Sequence, residues 1–220
     1  MWEKFYKKNP YDDFPLERYQ GDIQGWGAHP IFLEVIQKIR PQTIIEVGTW
    51  KGFTALYMAR LMELSNLNGH ILCIDTWLGS AEHFFSQDPM TILKRKNGFP
   101  EIYEQFLANV LFQKRQNVIV PLPQTSDAAF EILSKIKFTA DVIYIDGAHD
   151  YETVSRDLRN YWSLISSGGV LFGDDYEWPG VRQAVDEFTG RMKLKCFVIG
   201  EKYLFEKRPQ SPLKSQQNKG

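Results

Sequence analysis

Three aspartates stand at positions where they could do chemistry together. Asp146 directly follows the apolar run 142–145, and Asp174 and Asp175 directly follow the run 170–173. A helix-like segment lies between the two runs, which makes them parallel strands whose carboxyl ends share one edge of a sheet. We therefore expect the three carboxylates to converge at that edge.

Converging carboxylates repel one another unless a cation neutralises them or one of them stays protonated. Oxygen ligands without a cysteine select a hard divalent ion, most simply Mg²⁺. The sequence therefore predicts a magnesium site made by Asp146, Asp174 and Asp175. In the alternative interpretation, Asp146 caps a turn, while the other two acids are solvated or cap the helix that begins near Val181.

A histidine lies on the turn after Asp146, at the same edge. Histidine is the side chain best suited to accept a proton near neutral pH, and a general base accelerates a reaction by ~10²–10⁴-fold. We interpret His149 and Asp146 as the catalytic residues. The alternative is a structural histidine in a turn.

The segment before these acids contains a second informative stretch. The apolar run Ile44–Val47 ends at Gly48, and a helix-like segment begins after Gly52. A strand, a tight glycine turn and a helix form the first half of a βαβ unit that binds its ligand beyond the carboxyl end of the strand. Asp75 ends the next strand-like run, where a carboxylate can accept from both ribose hydroxyls of an adenosine. The alternative for Asp75 is a solvated acid.

Several motifs of other protein classes are missing from the sequence. It has no P-loop, no complete Gly-x-Gly-x-x-Gly after the first strand, no Gly-x-Ser-x-Gly and no zinc-spaced Cys/His set. Gly48 and Gly52 leave room for an adenosine ligand but make a poor cradle for a pyrophosphate, which argues against a dehydrogenase. A net charge of −1 without a basic stripe argues against a nucleic-acid partner.

The elements that must position these residues alternate between strand-like and helix-like segments. Five βα units are followed by two strands, 195–199 and 202–206, which suit an antiparallel hairpin around Gly200 and Glu201. This order predicts an α/β fold. We expect a Rossmann-like, seven-stranded, mostly parallel sheet with one reversed strand and helices on both faces.

A chain of 220 residues with 43% apolar and 24% charged residues suits one globular domain. We expect an aromatic-rich N-terminal arm or lid (1–28), a main domain (29–206) with an insertion on the ligand side (78–100), and a disordered tail (207–220). The arm either packs on the domain or closes over the site.

The cysteines and the apolar runs bear on the compartment. Cys73 and Cys196 lie in apolar strand-like runs and are expected to be reduced core residues rather than a disulfide. The N-terminus has no secretory apolar region, and no run reaches the ~18 apolar residues of a membrane span. We therefore expect a soluble, cytoplasmic protein.

Four motifs in order resemble the class I S-adenosylmethionine-dependent methyltransferases. They are EVGTWKGFT (46–54), DTWLGS (75–80), IDGAHDY (145–151) and GGVLFGDD (168–175). More narrowly, roughly residues 20–206 are similar to the metal-dependent sugar O-methyltransferases of the macrocin and mycinamicin type, with cephalosporin hydroxylase-like proteins as relatives.

The resemblance implies S-adenosylmethionine and Mg²⁺ as cofactors. Glu46 and Gly48 would line the methionine part of the methyl donor, and Asp75 its ribose. The full set of implied cofactor-binding residues is Glu46, Gly48, Thr49, Gly52, Thr54, Asp75, Thr76, Thr125, Ser126 and Asp146. Of these, Thr125 and Ser126 would lie near the adenine.

The resemblance also assigns roles to the acids and to the arm. Asp146, Asp174 and Asp175 would hold Mg²⁺, and His149 would be the base. A lid near Gln24 and Trp26 would close over the methyl donor.

The predicted function is Mg²⁺-assisted methyl transfer from S-adenosylmethionine to a hydroxyl of a sugar or similar small molecule. One alternative is a catechol or phenol O-methyltransferase, in which His83, Phe84 and Phe85 would stack on an aromatic acceptor. Another is a non-catalytic protein that binds an adenosine ligand. The expected partners are the small-molecule acceptor and, in a homodimer or higher homo-oligomer, further copies of the chain; no nucleic acid or membrane is expected.

Overall fold

The computed structural model describes residues 1–23, 28–87 and 93–209. The helices are α1 (Pro30–Ile39), α2 (Phe53–Leu64), α3 (Ala81–Phe85), α4 (Ile102–Phe112), α5 (Ser126–Lys135), α6 (Tyr151–Leu164) and α7 (Pro179–Met192). The strands are β1 (Thr43–Val47), β2 (His70–Asp75), β3 (Arg95–Lys96), β4 (Phe99–Pro100), β5 (Ile119–Pro123), β6 (Ala140–Ile145), β7 (Ile165–Gly173), β8 (Cys196–Ile199) and β9 (Lys202–Glu206). Two short 3₁₀ helices, Trp2–Lys4 and Leu16–Arg18, lie in the arm.

Seven strands form one sheet in the order β5-β2-β1-β6-β7-β9-β8. The pairs from β5 to β7 are parallel, whereas β9 is antiparallel to both β7 and β8. Within the described ranges, β9 is thus the one reversed strand of this sheet. The predicted Rossmann-like architecture is confirmed.

Successive strand residues face opposite sides of the sheet, so the sheet packs on two separate apolar layers. On β1, Ile44 belongs to the layer with α1, α2 and α4, whereas Ile45 belongs to the layer with α5, α6 and α7. Strands that are buried on both faces appear in the sequence as continuous apolar runs without polar alternation, and this is the pattern of 142–145 and, apart from Glu46, of 44–47. This two-layer packing leaves the carboxyl edge of the sheet as the place where loops meet.

The N-terminal arm packs along β5, the outermost strand on one side. The hydroxyl of Tyr6 donates to the carbonyl of Pro121 at 2.9 Å, and that of Tyr11 donates to the carbonyl of Ile119 at 2.9 Å. Tyr11 is 6% exposed and belongs to the core. At least this part of the arm is therefore packed on the domain.

Other boundaries differ modestly from the expectations. The insertion contains the short helix α3 and the hairpin β3–β4, and the backbone of Lys207 pairs with Gly168 and Gly169. The predicted lid residues Gln24 and Trp26, and the predicted tail beyond residue 209, lie outside the described residues. Cys73 is a buried free thiol and Cys196 a half-buried one. No helix in the described part of the chain is long and apolar enough to cross a membrane.

Candidate active site

The carboxyl ends of the central strands bring the predicted acids together. Val47, Ile145 and Gly173 are register partners across β1, β6 and β7. Asp146 and Asp174 each follow one of these partners, and their backbone N–H groups donate to Val47 (2.7 Å) and Ile145 (3.2 Å). The two side chains therefore emerge side by side from neighbouring strands.

A tyrosine hydroxyl joins the two acids. The hydroxyl oxygen of Tyr144 lies 3.0 Å from Asp146 Oδ2 and 3.1 Å from Asp174 Oδ2. One hydroxyl hydrogen can serve only one of these oxygens at a time, so both contacts are hydrogen bonds only if one carboxyl group carries a proton. Burial, with the charges of Asp174 and Asp175, raises the pKa of Asp146 to about 8. Asp146 is thus the acid that keeps a proton near neutral pH.

A buried lysine contacts the second acid of the cluster. The ammonium group of Lys202 forms a short ion pair with Asp174 Oδ2, and its side chain is 1% exposed. Glu201 lies further away, with its Oε1 at 3.7 Å from the same nitrogen. The acid cluster therefore contains a cation that belongs to the protein.

The histidine pairs with the third acid. His149 Nε2 lies 3.0 Å from Asp175 Oδ2, and both side chains are partly exposed, at 34% and 27%. The ring of Trp178 stacks on the imidazole with a centroid distance of 4.5 Å and an interplanar angle of 23°. Asp175 and Trp178 therefore hold the imidazole from two sides.

The donor set does not fit the predicted magnesium ion. Asp174 already accepts from the backbone N–H of Asp175 at 2.8 Å through Oδ1 and from Lys202 through Oδ2. Asp175 is engaged with His149. In the part of the chain that the structure describes, no group of three or more His, Cys, Asp or Glu side chains is arranged to hold a metal ion. Magnesium prefers near-octahedral oxygen ligands, whereas Asp174 Oδ2 and Asp175 Oδ2 are engaged with Lys202 and His149.

Two glycines shape the turn next to these acids. Gly48 has φ +84°, and a Cβ on it would lie 2.1 Å from the carbonyl oxygen of Asp146. Gly52 has φ +88°, and a Cβ there would lie 2.9 Å from the ring of Phe106. Only glycine combines this conformation with so close an approach. The turn after β1 therefore lies directly against the turn after β6.

Asp75 holds this turn through backbone hydrogen bonds. Its Oδ2 accepts from the N–H groups of Thr49 (2.8 Å) and Trp50 (2.9 Å), and its Oδ1 accepts from that of Trp77 (2.7 Å). These bonds fix Trp50 and Trp77 in left-handed conformations, φ 51° and 53°, which are rare for bulky residues and often mark functional sites. A carboxylate has further acceptor sites, so Asp75 can hold the turn and also bind a ribose hydroxyl.

Two polar side chains beside the turn are buried. Glu46 on β1 is fully buried, and Thr49 is 6% exposed. Burial raises the pKa of Glu46 well above its usual value, while a hydrogen bond with Thr49 acts to lower it. Glu46 and Thr49 therefore lie next to each other at the end of β1.

The remaining predicted cofactor residues surround the same turn. Gln124 N–H donates to the carbonyl of Asp75 at 3.0 Å, which brings Thr125 and Ser126 next to the end of β2. Thr125 caps α5 by accepting from Ala128 N–H at 3.2 Å. The other two predicted threonines lie close by in the chain. Thr54 is buried at the start of α2, and Thr76 Oγ1 accepts from Leu78 N–H at 3.2 Å.

The insertion and the arm both reach this turn. The ring of His83 stacks on Trp50 with a centroid distance of 4.3 Å, and Phe84 and Phe85 are 59% and 78% exposed. From the arm, Asp22 Oδ2 pairs with Lys51 Nζ at 2.7 Å. Both segments therefore contact residues of the glycine turn.

Several of these residues escaped the sequence analysis. Tyr144 reads as one more apolar strand residue, although its place two residues before Asp146 puts both on the same face of the sheet. The sequence alone indicates a solvent-exposed lysine after a turn at Lys202 and a loop residue at Trp178. The face of Tyr144 could have been derived from the strand period, whereas the other two depend on long-range pairing.

A separate cavity of about 570 Å³ lies at the opposite edge of the sheet. It is lined partly by Glu63, His70 and Arg115. Arg115 and Glu63 pair with each other at 2.7 Å. This cavity contains none of the strand-end acids, so we place the active site at the carboxyl edge.

The sequence of this chain is similar to those of known proteins. An uncharacterised protein of Acanthamoeba polyphaga mimivirus is 26% identical over 154 residues, 67% of this chain and 59% of that protein. Catechol O-methyltransferase of Bos taurus is 23% identical over 186 residues, 84% of this chain and 60% of that enzyme. The chain thus spans less than two thirds of either relative.

A solved structure shares the fold. The O-methyltransferase from Bacillus cereus in complex with SAH superimposes with a TM-score of 0.60 at 13% identity, covering 84% of both chains. Residues 45–176, more than half of the chain, match a family described as a methyltransferase domain, and they contain the glycine turn and all three strand-end aspartates. The chain belongs to this methyltransferase-domain family and has the Rossmann-like fold of class I S-adenosylmethionine-dependent methyltransferases.

Proposed function

We propose that this chain is an S-adenosylmethionine-dependent O-methyltransferase that methylates a hydroxyl of a sugar or similar small molecule. The observation that carries the proposal is the His149–Asp175 pair, 3.0 Å apart, beside the glycine turn. The names of the relatives support transfer to oxygen, since the bovine relative is a catechol O-methyltransferase and the bacterial structure is an O-methyltransferase with SAH.

The glycine turn and its neighbours would hold the methyl donor. Glu46 and Thr49 offer buried polar atoms at the end of β1, and Asp75 offers a carboxylate at the end of β2. When bound, S-adenosylmethionine supplies an activated, electrophilic methyl group. The remaining task of the protein is to place the acceptor oxygen and to remove its proton.

The histidine pair performs the second part of that task. His149 takes the proton of the acceptor hydroxyl, and Asp175 balances the positive charge that the imidazole then gains. The stacked Trp178 limits rotation of the ring. Since positioning and deprotonation both come from this chain, the mechanism uses no step through magnesium.

The test combines ligand binding with a variant of the base. Isothermal titration with S-adenosylhomocysteine should show binding, and transfer of a labelled methyl group should be detected with one member of a panel of sugars. His149→Gln should lower kcat by ~10²–10⁴-fold and leave the affinity for S-adenosylhomocysteine unchanged. His70→Gln, at the opposite edge of the sheet, is the matched control and should keep the wild-type rate. Wild-type kcat in His149→Gln would overturn the role of the base.

A phenolic acceptor is the second candidate. The exposed rings of Phe84 and Phe85 lie next to His83, which stacks on Trp50 at the glycine turn. Such rings would pack against a planar aromatic acceptor. Adding catechols to the acceptor panel separates the two candidates, because Phe85→Ala should raise KM for a catechol and leave KM for a sugar unchanged.

A further inference from the structure

We propose that Lys202 is a positioning residue that supplies the acid cluster with its cation, so that the cluster binds no divalent metal while Lys202 is present. The acid cluster here means Asp146, Asp174 and Asp175. What the cluster serves rests on the proposed function, whereas the identity of its cation can be measured independently.

Sheet pairing delivers the lysine to its place. Gly173 at the end of β7 is the register partner of Tyr203 on the antiparallel strand β9. One step further in opposite directions, Asp174 and Lys202 face each other. A Cβ on Gly173 would lie 2.2 Å from the hydroxyl oxygen of Tyr203, so the Tyr203 side chain can pack over residue 173 only because that residue is glycine. The position of Lys202 is therefore set by the backbone and not by a flexible surface side chain.

Burial makes the pairing obligatory. The side chain of Lys202 is 1% exposed and that of its partner Asp174 is 11% exposed. A lysine is almost never buried to this extent without a partner, because an isolated ammonium group loses its hydration. Separating Lys202 from Asp174 would leave a buried charge without its counter-ion, so the two side chains stay paired.

The geometry disfavours a divalent ion at Asp174. Lys202 and Tyr144 contact Oδ2, and the N–H of Asp175 donates to Oδ1. A metal bound to Oδ2 would displace one of these donors, and a metal bound to the remaining acceptor site of Oδ1 would stand near a buried ammonium group of the same sign. Like charges in such a site repel strongly.

The lysine acts on the base through two aspartates. Lys202 orients Asp174, Asp174 Oδ1 fixes the N–H of Asp175, and Asp175 pairs with His149. Asp175 has φ 62°, a left-handed conformation that its bond to Asp174 stabilises. Lys202 itself is buried away from solvent. It therefore positions the base and is not a catalytic residue.

The test measures metal binding with Mn²⁺ as the probe, followed by electron paramagnetic resonance. The wild-type chain should show no saturable Mn²⁺ site at this cluster over the titrated range, and Lys202→Met should bind one equivalent, with a dissociation constant at least tenfold below the highest Mn²⁺ concentration tested. Lys202→Arg keeps the charge and should behave as the wild type. The double variant K202M/D174N should lose the gained site, which assigns the ion to the cluster.

Two results would overturn the proposal. The first is one tightly bound Mn²⁺ in the wild-type chain that Asp174→Asn abolishes. The second is a folded Lys202→Met, judged by its circular dichroism, that binds Mn²⁺ no better than the wild type. If Lys202→Met does not fold, Mn²⁺ binding is compared between the wild-type chain and Asp174→Asn, and this comparison tests the proposal. Calorimetry with S-adenosylhomocysteine reports separately on the proposed function, since its failure leaves the Mn²⁺ result intact.

Discussion

The two halves of the site are held together by different chemistry. In the turn half, residues 48–52 are fixed by backbone N–H groups that donate to one carboxylate, that of Asp75. In the acid half, side chains hold side chains, as Lys202 and Tyr144 do with Asp174. Main-chain bonds do not depend on which side chains the turn carries, whereas each contact of the acid half depends on one residue type. We therefore expect the turn half to be most sensitive to substitution of its glycines, and the acid half to substitution of its charged residues.

The largest effect is expected at Gly48. A Cβ would lie 2.1 Å from the carbonyl oxygen of Asp146, and φ is +84°. Gly48→Ala should lower the free energy of unfolding by about 4 kcal/mol or more, because a close backbone approach and a left-handed conformation are both violated. Urea unfolding followed by circular dichroism measures it.

Gly190 on α7 is the matched control, because a Cβ there meets no atom within 4 Å. Gly190→Ala should stabilise the chain by about 0.5–1 kcal/mol, as expected for a glycine in a helix. Equal unfolding midpoints for the two variants would contradict the close contact between the two halves.

The second-largest effect is a gain in stability, and it concerns Asp157, a buried acid that has no lysine beside it. Asp157 on α6 is 1% exposed, and its Oδ1 has no partner in the described part of the chain. Burial raises the pKa of Asp157 from 3.8 to about 6. The carboxyl group thus binds its proton more tightly in the folded chain, and this stabilisation is lost as the pH rises through about 6.

Asp157→Asn should therefore raise the free energy of unfolding by about 2–3 kcal/mol at pH 8, and the gain should vanish near pH 4. Thermal unfolding at both pH values measures it. Asp12→Asn on the exposed arm is the control and should change little at either pH. A loss of stability at pH 8 would show that the hydrogen bond of Asp157 with Ser126 outweighs the cost of burying its charge.

The smallest effect on stability is expected at Asp75. In Asp75→Asn, one amide oxygen remains to accept from three backbone N–H groups, and the charge is lost. We expect a loss of about 1–2 kcal/mol in stability and about tenfold in affinity for S-adenosylhomocysteine. Calorimetry checks the affinity, with Asp13→Asn, which breaks only an exposed ion pair with Lys8, as the control. Unchanged affinity would remove Asp75 from the cofactor site.

Local patterns were sufficient for most of the fold. Helices α2 and α4 begin shortly after Gly52 and Pro100, two residues that interrupt a helical pattern in the sequence. The next apolar run begins at Val118, but strand β5 begins at Ile119 and continues to Pro123. There Val118 N–H closes a turn onto Arg115 at 2.9 Å, and prolines are tolerated since β5 is an edge strand.

The acid half was only partly predictable. The strand-end positions of Asp146 and Asp174 follow from two parallel strands, which the sequence reveals. The hairpin of β8 and β9 was also predicted, but nothing local says that β9 pairs with β7 or in which register. Because that register delivers Lys202 to Asp174, the magnesium prediction was made without knowledge of this buried lysine.

The arm has a consequence for how copies of this chain meet. An outermost strand normally offers unpaired carbonyl and N–H groups to any passing strand, and this invites edge-to-edge aggregation. Tyr6 and Tyr11 occupy two outward carbonyls of β5, at Pro121 and Ile119. Pro121 and Pro123 also lack the N–H groups that an added strand would need. The chain thus protects this border of its sheet and directs strand exchange with another molecule to β8, on the far side.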